Sequence, residues 1–283
     1  PCRRTRRPTV ARRMTDIGLR LARVESLDLS GLGRTAIRLA APPLVAALLL
    51  LGSWEALSRS GVLSKRLLPA PSLVFDTLVR SLGVLLEQAQ PTFWGAVLGI
   101  LLAAAFGIVL GAAVSYSRTL MQAVYPTVVF FQLIPKVALA PVFLLWFGTG
   151  FSANVIFSVF IAFFPVMVAT IAGLQAAPPA YERLCRSLMM PKAQMFRTVK
   201  IPFALPHIFN GLRIGVTFAV IGVVLGEFIT AQTGLGYIIL FSANNFETAL
   251  LLAAILLLCG VGVVLFAFFL ALETIVMRIY DSR

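Results

Sequence analysis

The chain has 283 residues, 59% of them hydrophobic and only 12% charged, with a mean hydropathy of +0.95. A soluble domain has about 45–50% apolar and about 25% charged residues, so the composition excludes a water-soluble fold and demands a bilayer. The net charge of +13 does not indicate nucleic acid, which needs basic residues along a binding face, because ten arginines crowd into the first 38 residues.

Those arginines (Arg3, Arg4, Arg6, Arg7, Arg12, Arg13, Arg20, Arg23, Arg34 and Arg38) precede the first apolar run. Residues 1–38 read as a basic cytoplasmic tail that sets topology or holds anionic lipid head groups. Within the tail, Ile17, Leu21, Val24 and Leu27 recur at helical spacing, as in a helix lying on a membrane surface or packed on a partner. An apolar run starting this far in is not the pattern of a cleavable leader.

A spanning helix needs about 20 mostly apolar residues. The first candidate is Leu39 to Leu57, expected to start beside Pro42 and Pro43, where a helix tolerates proline best. After a turn at residues 68–72 comes an amphipathic segment to about Ala89, too charged to cross; residues 39–90 thus hold one span and an external segment. The core at 91–277 carries five more spans: Phe93 to Val114, Met121 to Phe147, Phe151 to Leu174, Leu205 to Thr230 and Ala249 to Met277, followed by a tail at 278–283. The expected fold is all-α, a polytopic bundle of about six transmembrane helices.

Between the fourth and fifth of these six spans lies a polar loop, 177–204, with Glu182, Arg183, Arg186, Lys192, Arg197 and Lys200. Alternating spans put this loop, the amino-terminal tail, Arg118, Arg278 and Arg283 on one side, against Arg59, Lys65, Arg66 and Arg80 on the other. By the positive-inside rule the first side is cytoplasmic. Glycines four apart (Gly95 and Gly99, Gly107 and Gly111, Gly211 and Gly215, Gly222 and Gly226) let helices approach closely in lipid.

Chemistry-bearing patterns are sparse. Cys2, Cys185 and Cys259 form no close pair, and His207 stands alone, so no metal site or disulfide framework is expected. The four lysines, Lys65, Lys136, Lys192 and Lys200, follow residues other than glycine, so the GxxxxGK[ST] phosphate loop is not present. No catalytic constellation stands out, and the chain is not expected to be an enzyme. Two short helices, about Pro179 to Met189 and Lys192 to Lys200, are expected to expose Leu188, Met189, Met195 and Phe196 among basic residues. Such a knob suits a partner's groove, or packs on its own bundle. Lys136 follows Pro135 within an apolar stretch, the pattern of a broken helix lining a wet cavity; a lysine that snorkels or caps a helix reads the same. Glu227 near the outer end of its span fits a gate or an interfacial anchor.

The loop from Glu182 to Pro206 resembles the cytoplasmic coupling loop of ATP-driven (ABC) importer permeases, with Met189 where that family has its glycine and Arg183 at its glutamate position. Ile134-Pro-Lys-Val-Ala-Leu-Ala-Pro141, Trp146-Phe-Gly148, Gly211-Leu-Arg213, Glu227 and Gly234-Leu-Gly-Tyr237 are similar to the nitrate, sulfonate and taurine permeases, and the resemblance covers about Leu68 to Arg278. It implies a type I importer permease of the bacterial inner membrane, working with a second permease copy, cytoplasmic ATP-binding subunits that hold the ATP and magnesium, and a periplasmic or lipid-anchored binding protein. It also implies ATPase coupling through Glu182, Arg183, Ser187, Leu188, Met189, Lys192, Met195 and Phe196, and a translocation path near Gln132, Pro135, Lys136 and Glu227. The expected cargo is a small anion such as a sulfonate or nitrate-like compound. The alternatives are a neutral vitamin precursor of the thiamine or riboflavin type, or a secondary transporter or channel that uses no nucleotide, whose inverted repeat is not found.

Overall fold

The computed structural model describes residues 29–61, 64, 67–230 and 232–281. The surface stripe Ile17, Leu21, Val24 and Leu27, the arginines up to Arg23, Cys2, Lys65, Arg66 and Arg283 lie outside the described residues. The chain divides into two compact units, Pro1–Val62 and Leu63–Arg283. In the first, α1 (Leu29–Arg59) contains the apolar run expected from Leu39 to Leu57. It starts ahead of Pro42 and Pro43 rather than beside them, and an Arg59–Glu55 pair at 2.6 Å bridges its last turn.

The second unit opens with α2 (Pro71–Arg80), begun by proline at its first helical position, where the missing N–H is no loss. Ser81 ends α2 and begins α3 (Leu82–Tyr116), so the expected amphipathic segment divides between two helices. Next come α4 (Arg118–Leu133) and α5 (Lys136–Phe147), bent by 89° at Ile134-Pro135, and then α6 (Phe151–Gln175). The polar loop folds as α7 (Pro179–Ser187) and α8 (Lys192–Met195). α8 runs through a widened π turn, Phe196–Lys200, into α9 (Ile201–Thr230). A short α10 (Leu235–Asn244) and the long α11 (Thr248–Asp281) complete the unit.

Two expectations are revised here. The second short helix is not separate from the fifth span: residues Lys192–Ile229 form one continuous run. The expected helix ended at Lys200 and the expected span began at Leu205, but the π turn, with Ile201 N–H donating to the Phe196 carbonyl, carries the chain through the gap ahead of Pro202. The ten mostly apolar residues of α10 were not expected as a helix, being too short to span. Among the described residues four helices are long and apolar enough to cross a membrane, or five if α4 and α5 form one bent span.

The core is a three-helix contact centred on α6. Glycines of α3 face it in parallel register: a Cβ built on Gly99 would stand 2.7 Å from Ser158 Cβ, one on Gly107 3.1 Å from Val166 Cβ, and one on Gly111 2.9 Å from Thr170 Cβ. Glycines of α9 meet the same helix running the other way, Gly211 against Ala169, Gly222 against Ser158 and Gly226 against Asn154. The four-residue glycine spacing thus packs two neighbours onto one helix. Ser158 Oγ donates to the Ala219 carbonyl at 2.9 Å, and Ile100, Val166, Val216 and Leu265 fill the centre. Arg213 on α9 pairs with Glu273 on α11, its Nε donating at 2.7 Å, so two charges inside apolar helices are held by each other.

Candidate functional site

The loop at 177–200 is shaped by a helix terminus. α7 ends in a Schellman motif: Met190 N–H donates to the Cys185 carbonyl at 2.9 Å and Met189 N–H to the Arg186 carbonyl at 3.0 Å. Met190 packs with Cys185, Ala177, Val199 and Met195, the apolar contact that accompanies this motif, and Pro191 then starts α8. Met189 occupies the left-handed position, φ 52°, that such motifs usually give to glycine. Glu182 bridges the loop to the start of the long helix, 3.2 Å from Lys200 and 3.7 Å from Arg186.

This geometry sorts the eight residues expected to form the coupling surface. Leu188 and Met189 are 65% and 91% exposed at the tip. Met195 and Phe196 were expected to be exposed but are half-buried, because the helix continues through them and turns them inward. With Glu182, Lys192 and Met189 they line a cleft of about 640 Å³ between the loop and the Ser115-Tyr116 end of α3. Arg183 points to solvent, and Ser187 Oγ donates to the Arg183 carbonyl at 2.9 Å.

The expected path residues fall in two places. Gln132, Pro135 and Lys136 surround the break between α4 and α5. The Lys136 ammonium lies 5.7 Å from the ring centre of Phe164 on α6 and 5.6 Å from that of Phe218 on α9, within reach of the negative ring faces. Phe143, Phe160 and Phe164 extend this aromatic wall.

Glu227 shares no described partner with Lys136. It is 1% exposed and receives Thr92 O–H at 2.7 Å and Gly236 N–H at 2.8 Å. Leu235 N–H donates to Thr92 Oγ1 at 2.9 Å, and Gly234 N–H to Gln88 Oε1 at 2.8 Å. The first amides of a helix have no partner within it, and Gly234 at the cap of α10 has no side chain to offer. Residues of α3 and α9 supply the cap instead. Sequence reasoning missed Gln88 and Thr92; their only signal is two polar residues one helical turn apart beside an apolar run.

Residues 95–281 match the family described as binding-protein-dependent transport system inner membrane component. The chain belongs to this family. This permease is 33% identical to a probable ABC transporter permease protein of Haemophilus influenzae over 81% of its own length and 94% of the relative's. It is 34% identical to the formylaminopyrimidine transport permease protein of Halalkalibacterium halodurans, over 83% and 94%. Its fold is similar to a chain of the inward-facing MetNI methionine ABC transporter (TM-score 0.56, 20% identity, 69% of this chain and 95% of that one). The permease is therefore an ABC importer component of the inner membrane, with the helical importer fold.

Proposed function

We propose that this permease pairs with a second copy of itself and imports a small nutrient delivered by an external binding protein, driven by ATP-hydrolysing subunits docked on the 177–200 loop. Nucleotide and magnesium belong to those subunits. The amino terminus and the loop face the cytoplasm, as the basic-residue asymmetry favours. The observation that carries the docking is the apolar tip, Leu188 and Met189, standing clear of the fold among Arg183, Arg186, Lys192 and Arg197. Leu188→Asp tests it: the variant inserts and folds, and loses the ATP-hydrolysing subunits on co-purification from native membranes. Retained subunits would count against the docking.

For the cargo, Lys136 at the start of α5, over two phenyl rings, favours a small anion: its ammonium adds to the positive end of the helix. A second reading, an uncharged heterocyclic vitamin precursor stacked on the same rings, is favoured by the formylaminopyrimidine relative. Lys136→Met separates them. Uptake falls with assembly intact if the cargo is an anion, and stays unchanged if it is neutral.

A further inference from the structure

Met189 is misplaced by the energetics of its own chain. A non-glycine residue in the left-handed region carries a steric penalty that glycine escapes. Every other part of the turn is satisfied without its side chain: the two Schellman hydrogen bonds are backbone, the accompanying apolar contact is made by Met190, and Pro191 stops the helix. The Met189 side chain is 91% exposed, so it returns no burial to the fold. The cleft that Met189 lines also holds Arg186, Lys192, Lys200 and one carboxylate, Glu182, which Lys200 and Arg186 engage, and the same loop exposes Arg183 and Arg197, so the surface is basic on balance.

We propose that Met189 is the specificity-determining contact of this surface, a side chain held outward by a left-handed turn that selects an ATP-hydrolysing partner presenting a deep apolar pocket rimmed by acidic residues. The proposal rests on the docking of that partner at 177–200. An unbranched thioether fits an irregular pocket well, and the net basic charge of the loop matches an acidic rim while disfavouring a basic one. A partner with a shallow pocket, suited to glycine at this position, is excluded by the bulk of the side chain.

The experiment uses the full-length permease in lipid nanodiscs with its purified ATP-hydrolysing subunit. Thermal stability of the permease alone and affinity for the subunit are measured for Met189→Gly, Met189→Ala and Leu188→Asp. Met189→Gly is expected to melt higher than the parent and yet bind about 10-fold to 100-fold more weakly, the value of one fully buried apolar side chain. Met189→Ala, which stays left-handed, is expected to bind as weakly with no gain in stability. A residue with only a structural role would not move stability and affinity in opposite directions. If both Met189 variants bind like the parent while Leu188→Asp does not bind, the specificity role of Met189 is overturned and docking stands. If Leu188→Asp also binds like the parent, docking at this loop falls, and the proposal with it.

Discussion

Gly234 and Glu227 are packed so closely that a Cβ on Gly234 would lie 2.2 Å from the Glu227 carboxyl carbon. Gly234 also has φ 108° and ψ 165°, a backbone state essentially confined to glycine. Steric room and backbone conformation therefore demand the same residue, at the point where α10 is capped by side chains of α3 and α9.

Gly234→Ala is expected to undock α10. The backbone strain alone costs about 1–3 kcal/mol, and the added methyl group pushes Glu227 off Thr92 and Gly236. Thermal unfolding of the purified permease should begin at lower temperature, and transport should fall; a parent-like melting curve would refute the cap.

Thr92→Val keeps the shape of the side chain and removes its hydroxyl. Glu227 loses a donor and the buried Leu235 N–H loses its acceptor, each worth about 1–3 kcal/mol when left unsatisfied. Amide hydrogen exchange should speed up at the start of α10 and little elsewhere. Unchanged protection there would mean the hydroxyl contributes nothing.

The glycines give a paired test. A Cβ on Gly222 would meet Ser158 Cα at 2.7 Å, a backbone atom that cannot step aside, whereas one on Gly260 meets nothing within 4 Å. Gly222→Ala should destabilise the permease by about 1–3 kcal/mol, and Gly260→Ala should be neutral or slightly stabilising, since alanine is the better helix former. Equal effects would contradict the α6–α9 register.

Arg213 and Glu273 are expected to be worth more together than either alone. Arg213→Met leaves a carboxylate in the bundle without its cation and should lower the stability of the permease. The double variant Arg213→Met, Glu273→Met removes both charges and should recover most of that loss. Denaturant unfolding in mild detergent measures the cycle, and simple additivity would show the pair to be uncoupled.

How much was legible in the sequence follows from the range of each interaction. Spans at Phe93 to Val114, Phe151 to Leu174 and Ala249 to Met277 could be read because apolar length answers to bilayer thickness, a property of each segment alone. The helix break before Lys136 was visible in Pro135, which is equally local. The continuity of Lys192–Ile229 was hidden because the charged stretch up to Lys200 interrupts the apolar pattern, and only the π turn at Phe196–Lys200 carries the helix through.

The partnership of Gln88 and Thr92 with Gly234, Leu235 and Glu227 joins residues more than 130 positions apart, and no local pattern specifies it. By itself the sequence determined the solvent, the long apolar spans and the family, because hydropathy and motif are carried by neighbouring residues. Tertiary structure alone decided which polar groups meet inside the bundle: a buried donor must find an acceptor wherever packing brings one, and that address exists only in the folded chain.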